Sequence, residues 1–219
     1  MSWSGGKDCA LALHELRRSG EFEVVGLLTT VNSEAERISI HGVRLSLLRQ
    51  QAARLGLPVH EVALPSPCSN REYELRMGQA LVAAEDAGVA AVAFGDLLLQ
   101  DVREYRERQV RAAGLRALFP IFGRSTEAVA REEIRLGIRS ILACVDRARL
   151  DPRFAGRHFD ADLLAELSAQ PGQVDPCGEY GEFHTFTFDS PDYSAPIPVR
   201  VGEVVDRDGF VFADLLVDG

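Results

Sequence analysis

Lysine is almost missing from this sequence. The 219 residues carry 24 Lys plus Arg, and Lys7 is the single lysine among them. Wherever a generic positive charge would serve, the chain uses arginine; at position 7 it does not. Net positive charge is missing too, and the formal charge of −9 argues against a surface that grips nucleic-acid phosphates over a wide area. No apolar run approaches the roughly 20 residues that span a bilayer. No signal peptide is legible, since Met1 leads straight into a glycine loop. The four cysteines, Cys9, Cys68, Cys144 and Cys177, form no CxxC pair and read as reduced thiols. Internal repeats and low-complexity segments are absent. What remains is 46% hydrophobic and long enough to bury a real core, so the expectation is a globular cytoplasmic protein with no membrane partner.

Along the chain, strand-like and helix-like stretches alternate. FEVVGLLTTV is β-branched, and GVRLSLLRQQAARLGL repeats Val43, Leu47, Leu48 and Leu55 at helical spacing. PVHEVALP alternates as a strand. A helix follows from a cap at Asn70 to Gly88. VAAVAFGDL is continuously apolar, as in a buried parallel sheet, and QDVREYRERQVRAAG reads as a charged helix. LRALFPIFG and IRSILACVD flank a helix capped by Ser125. This rhythm predicts an α/β fold with a doubly wound, mostly parallel sheet covered by helices on both faces. Character changes near residue 171, after which HTFTF, IPVRVGEVV and GFVFADLLV predict a smaller C-terminal α+β part, with DRDG as a turn.

The start of the chain reads MSWSGGKDCALAL. In open α/β sheets ligands sit beyond the carboxyl ends of the strands, where a first strand turns into a first helix. Gly5 and Gly6 let the backbone approach a ligand, and successive N–H groups there form an anion-binding nest. The helix that follows turns its positive end to the same anion. Lys7 adds a compact charge suited to a polyphosphate, and Asp8 suits a Mg²⁺ that bridges phosphate oxygens. A Walker A loop is excluded because no glycine stands five residues before Gly6. The match of Ser4 to Lys7 with the SxxK of serine β-lactamases fails for want of a second lysine. A planar guanidinium fits such a cradle badly, so Lys7→Arg is expected to lose activity with little loss of stability.

SGGKD resembles the SGGxD[ST] pyrophosphate loop of the N-type ATP pyrophosphatases, the PP-loop superfamily. FGDLLLQDVREYRERQV and DPCGEYGEFHTF resemble the central segment and the late GENGEFHT block of the diphthine–ammonia ligase family. The resemblance implies an adenine nucleotide alpha hydrolase-like, Rossmann-like fold, with an ATP-binding domain over 1–118 and a substrate domain over 119–219. It implies an ATP-dependent ligase: a small-molecule or protein carboxylate attacks the α-phosphorus of Mg·ATP, pyrophosphate leaves, and ammonia displaces AMP. Carried over to this chain, Ser4, Gly5, Gly6, Lys7, Asp8, Cys9 and Gly95 would hold ATP, and Lys7, Asp8 and Asp96 would be catalytic. Asp8 would hold Mg, while Arg103, Tyr105, Arg106, Glu179, Glu182 and His184 would face the substrate. Two positions depart from the pattern. Cys9 stands where Ser or Thr is usual, and Tyr180 replaces the Asn of GENGEFHT. Only Met1 to Trp3 precede the loop, so either the first strand is stunted or the true start lies upstream.

Other readings stay open at this level. A tRNA-thiolating enzyme uses the same loop, although the acidic charge speaks against tRNA. A non-catalytic ATP or AMP sensor would bind nucleotide and release no pyrophosphate. Cys177, Glu182 and His184 match no standard zinc spacing. Of the remaining histidines, His14 lacks the second histidine of HExxH, His41 opens a helix, His60 sits in a strand and His158 in a charged loop, all without catalytic signature. The Arg, Ala and Gly richness suggests a GC-rich bacterial genome. Diphthamide belongs to elongation factor 2 of archaea and eukaryotes, so the amidated carboxylate is expected to differ, for example a corrinoid-type metabolite. Oligomeric state is not legible, and a homo-oligomer stays open.

Overall fold

The computed structural model describes all residues except 33, 35, 39–41, 171, 173 and 219, so His41 lies outside it. Helix α1 (Lys7–Ser19) leaves the loop through an extended Gly6 and ends where Gly20 turns left-handed. Strand β1 (Leu27–Asn32) follows, then the two-residue β2 (Arg37–Ile38), α2 (Leu45–Leu55) and β3 (Val59–Leu64). Helix α3 (Asn70–Asp86) is capped by Ser69, one residue before the predicted Asn70, because the Ser69 hydroxyl accepts from Glu72 N–H. The continuous apolar run condenses into the short β4 (Ala91–Ala93), followed by α4 (Gln100–Ala112) and β5 (Arg116–Leu118). Then come α5 (Thr126–Leu136), capped by Ser125, β6 (Arg139–Asp146) and α6 (Ala161–Ser168). Strands β7 (Phe183–Asp189), β8 (Val199–Arg207) and β9 (Phe210–Val217) end the chain, with Asp208 and Gly209 at positive φ in the β8–β9 turn.

Strand β1 pairs in parallel with β3 and β4 in parallel with β5. Residues 1–3 lie between them: Trp3 N–H donates to Leu28 O, Leu28 N–H to Met1 O, and Ser2 N–H to Ala93 O. A three-residue segment thus takes the place of a full first strand. Alternate residues of β1 enter different apolar clusters, as the period of two requires. Leu27 and Val31 join Leu11, Leu13, Leu47 and Leu48 of α1 and α2, whereas Leu28 packs with Leu81 of α3 and Val110 of α4. Each buried Leu or Val contributes about 1.5–3 kcal/mol.

One expectation is overturned. IRSILACVD was predicted as another parallel strand, but β6 pairs antiparallel with β7 and β9 in a four-stranded sheet of order β7-β6-β9-β8. Its interior residues are buried on both faces, and a central antiparallel strand buried in this way carries the same apolar run as a parallel one. Among the described residues no helix is long and apolar enough to cross a membrane.

Candidate active site

The loop from Ser4 to Asp8 leaves residues 1–3 beside the end of β4 and is fixed largely by the last sheet. Gly5 has φ +81°, a region that favours glycine, and a Cβ there would lie 2.8 Å from Gln51 Oε1. Its carbonyl accepts from Thr187 N–H at 2.8 Å and from Gln51 Nε2 at 2.9 Å. Lys7 N–H donates to Thr185 Oγ1 at 3.1 Å. Gln51 also donates to Thr187 O and accepts from Trp3 Nε1, so one buried amide ties α2, β7 and the start of the chain together.

Gly95, just after β4, faces the same loop. A Cβ there would stand 2.9 Å from Cys9 N and 3.0 Å from the carbonyl carbon of Asp8, so the close approach of β4 to α1 requires glycine. Asp96 follows, with Oδ2 at 2.7 Å from Arg106 Nε of α4. The Arg106 guanidinium lies over Phe94, 4.7 Å from the ring centroid.

The late block arrives from the other side. Asp175 organises it: Oδ1 accepts from Cys177 and Glu179 N–H, and Oδ2 from Thr126 Oγ1. Glu179 reaches across to the segment before α4, where its Oε1 accepts from Leu97 and Leu98 N–H at 3.1 and 3.0 Å. Between the three segments lies a cavity of about 280 Å³. Ser4, Gly6, Asp8 and Cys9 form one wall, Gly95, Asp96 and Arg106 a second, and Glu179, His184 and Thr185 a third.

Three carboxylates therefore share this cavity with one guanidinium. Burial pushes Asp96 above the usual carboxylate range, with Arg106 opposing it. Burial also raises Glu179, against the pull of the Leu98 and Leu97 N–H groups. The same desolvation lowers His184, Asp8 opposing, which favours a neutral imidazole. Cys9 is held as a thiol by burial and lies 3.2 Å from Ser4 Oγ.

A scan against family models matches the diphthamide synthase N-terminal domain over residues 1–117 and the diphthamide synthase C-terminal domain over residues 125–211. The chain belongs to the diphthamide synthase family. Among curated proteins it is similar to the diphthine–ammonia ligases of Homo sapiens and Bos taurus, each 28% identical over 96% of this chain and 85% of the relative. The Rattus norvegicus protein of the same name is 30% identical over 67% of this chain and 55% of its own length. These names favour ligation over the thiolation and sensor readings.

Within this diphthamide synthase family chain, not every predicted residue reaches the cavity. Lys7 does not line it. Its side chain is 1% exposed, with Nζ 2.6 Å from Asp8 Oδ1, 3.3 Å from Glu133 Oε2 and 4.9 Å from the Phe159 ring centroid. Arg103 lies over the rings of Phe119 and Phe122 and pairs with Glu107, while the Tyr105 hydroxyl accepts from Gln109. Neither lines the cavity. Glu182 is buried beneath the late block, where it accepts from Asp175 and Tyr180 N–H. Its role there is to shape the turn.

Sequence reasoning missed Gln51, Thr185, Asp175 and Glu133. Gln51 and Glu133 carry a findable signal, since each interrupts an apolar stripe. Gln51 sits among Leu47, Leu48 and Leu55, and Glu133 falls four residues after Val129 on the buried side of α5. His14, read as structural, pairs with Asp192 at 2.9 Å.

Proposed function

We propose that this chain is an ATP-dependent ligase that adenylates a carboxylate and amidates it with ammonia, as the names of its relatives suggest. The observation that carries this reading is the single cavity whose walls come from the glycine loop, the β4 end and the late block. We read the strands from β3 through residues 1–3 to β5 as a doubly wound, adenine nucleotide alpha hydrolase-like sheet, with the loop at its carboxyl edge. Residues 1–118 would form the ATP-binding unit and 119–219 the substrate unit.

The triphosphate lies along Ser4 to Asp8, its charge met by the positive end of α1. The carboxylate oxygen attacks the α-phosphorus, and the bond from that phosphorus to the bridging oxygen of pyrophosphate breaks. Ammonia nitrogen then attacks the acyl carbon, the bond to AMP breaks, and the nitrogen sheds one proton. His184 lines the cavity wall, and burial favours its neutral imidazole, a form able to take that proton. Arg106 and Glu179 frame the substrate side.

The donors fit Mg²⁺. Asp8 and Asp96 offer hard oxygens from facing walls of the cavity. Cys177 is a poor ligand for it, since burial holds the thiol protonated and Sγ donates to Thr126 O at 3.2 Å. Bound by Asp8 and Asp96, the cation would neutralise charge on the leaving pyrophosphate.

The test is product analysis with Mg·ATP, ammonium and a fractionated extract of carboxylic acids. AMP and pyrophosphate in equal amounts, dependent on one fraction and yielding an amide, are expected. Nucleotide binding with no pyrophosphate from any fraction would replace the ligase with a sensor.

A further inference from the structure

Glu133 has no apparent reason to be charged. It is fully buried on α5, among Val129, Ala130, Ile138 and Phe159 of the main core, where an apolar side chain would pack as well. Its ion contact is Lys7 Nζ at 3.3 Å, and burial pushes its carboxyl well above the usual range, with Lys7 opposing. Lys7 is already paired with Asp8 at 2.6 Å. One ammonium is thus shared by two carboxylates, whose oxygens come within 4.8 Å of each other. The two differ in one respect: Asp8 lines the cavity and Glu133 does not.

We infer that Glu133 is a positioning residue, the second acidic partner that takes over the Lys7 ammonium when Asp8 turns its carboxylate to the cation of Mg·ATP. The inference rests on the ATP reading above. Lys7 Nζ stands closer to Asp8 than to Glu133, at 2.6 Å against 3.3 Å. When Asp8 engages the incoming cation, the Lys7 charge would be stranded in a dry pocket unless Glu133 were there to take it. Lys7 thereby acts from behind the wall, through Asp8.

This predicts opposite signs for stability and for metal dependence. In Glu133→Gln, Lys7 keeps Asp8, so a balanced pair remains and a buried ionisable group is gone. The melting temperature should hold or rise. Asp8, however, is now the one carboxylate left for Lys7, and its release becomes costly. The Mg²⁺ concentration giving half-maximal binding of a fluorescent ATP analogue should rise at least tenfold, and Glu133→Asp should recover part of the loss. Leu163→Ala, a core deletion on α6 away from the cavity, should lower the melting temperature and leave the Mg²⁺ requirement unchanged. A Glu133→Gln protein with a lowered melting temperature and a wild-type Mg²⁺ requirement would make Glu133 merely structural and overturn the inference alone. Wild-type protein that binds no ATP analogue at any Mg²⁺ concentration would overturn the ATP reading, and this inference with it.

Discussion

The front and the back of this site are built differently. The cavity face carries Asp8, Asp96, Glu179 and His184, supplied by loops and element ends of both halves of the chain. The layer behind it carries Lys7, Glu133, Gln51, Glu182 and Asp175, nearly all buried and tied by hydrogen bonds or ion pairs. At the front, three acids and one guanidinium line an open cavity; behind it, Gln51, Asp175 and Glu182 are engaged by N–H and carbonyl groups of the protein itself. Residue type alone does not say which layer a residue joins. Lys7, expected to be catalytic, and Glu182, expected to face the substrate, both lie behind the wall.

That contrast can be broken by substitutions in the rear layer. The largest effect is expected for Lys7→Arg. The sequence alone predicts lost activity with unchanged stability, but the side chain is 1% exposed and lies against Phe159. Overpacking should therefore add a loss of about 1–3 kcal/mol, read by urea unfolding, to the loss of turnover. Gln51→Ala strips partners from Trp3, Gly5 and Thr187, and should lower stability by about 2 kcal/mol while weakening nucleotide binding through the loosened loop. A stable Gln51→Ala protein would show that the loop holds itself.

Two smaller effects sharpen the boundary of the site. Arg103→Ala should leave KM and kcat within about twofold and cost about 0.5–1 kcal/mol in stability, because its guanidinium stacks on Phe119 and Phe122 away from the cavity. The smallest effect concerns the link between the two sheets, where Asp214 of β9 is forked by Arg44 and contacted by Arg37. Hydrogen bonds from Arg44, and then Arg37, hold Asp214 below the usual carboxylate range despite partial burial. The folded state therefore favours the carboxylate. Its contribution is complete above the unfolded value of about 3.9 and disappears as pH falls through the lower folded value. Arg44→Met should be less stable than wild type at neutral pH, and thermal melts should show that gap narrowing below about pH 4.

Much of this was legible in the sequence. Helix α2 follows its apolar spacing, α4 its charged stretch and α5 its Ser125 cap, and the glycine loop, Gly95–Asp96 and late block do converge on one cavity. Helix α6 was not anticipated, although Asp160 caps it through Leu163 N–H. The partners of β6 were not legible either, because a strand buried on both faces looks alike in parallel and antiparallel sheets. Among the three glutamates of α5, Glu127 and Glu132 keep contact with solvent while Glu133 is buried, a difference set by how α5 packs on α1.

The account turns on a site made jointly by both halves of the chain. Its most direct test is carboxylate-dependent pyrophosphate release by Asp8→Asn and Glu179→Ala side by side with wild type. Both should fall, Asp8→Asn by about 10²-fold or more and Glu179→Ala by at least about tenfold as Leu97 and Leu98 lose their acceptor. Wild-type rates in Glu179→Ala would remove the late block from the site and leave the glycine loop to act without it.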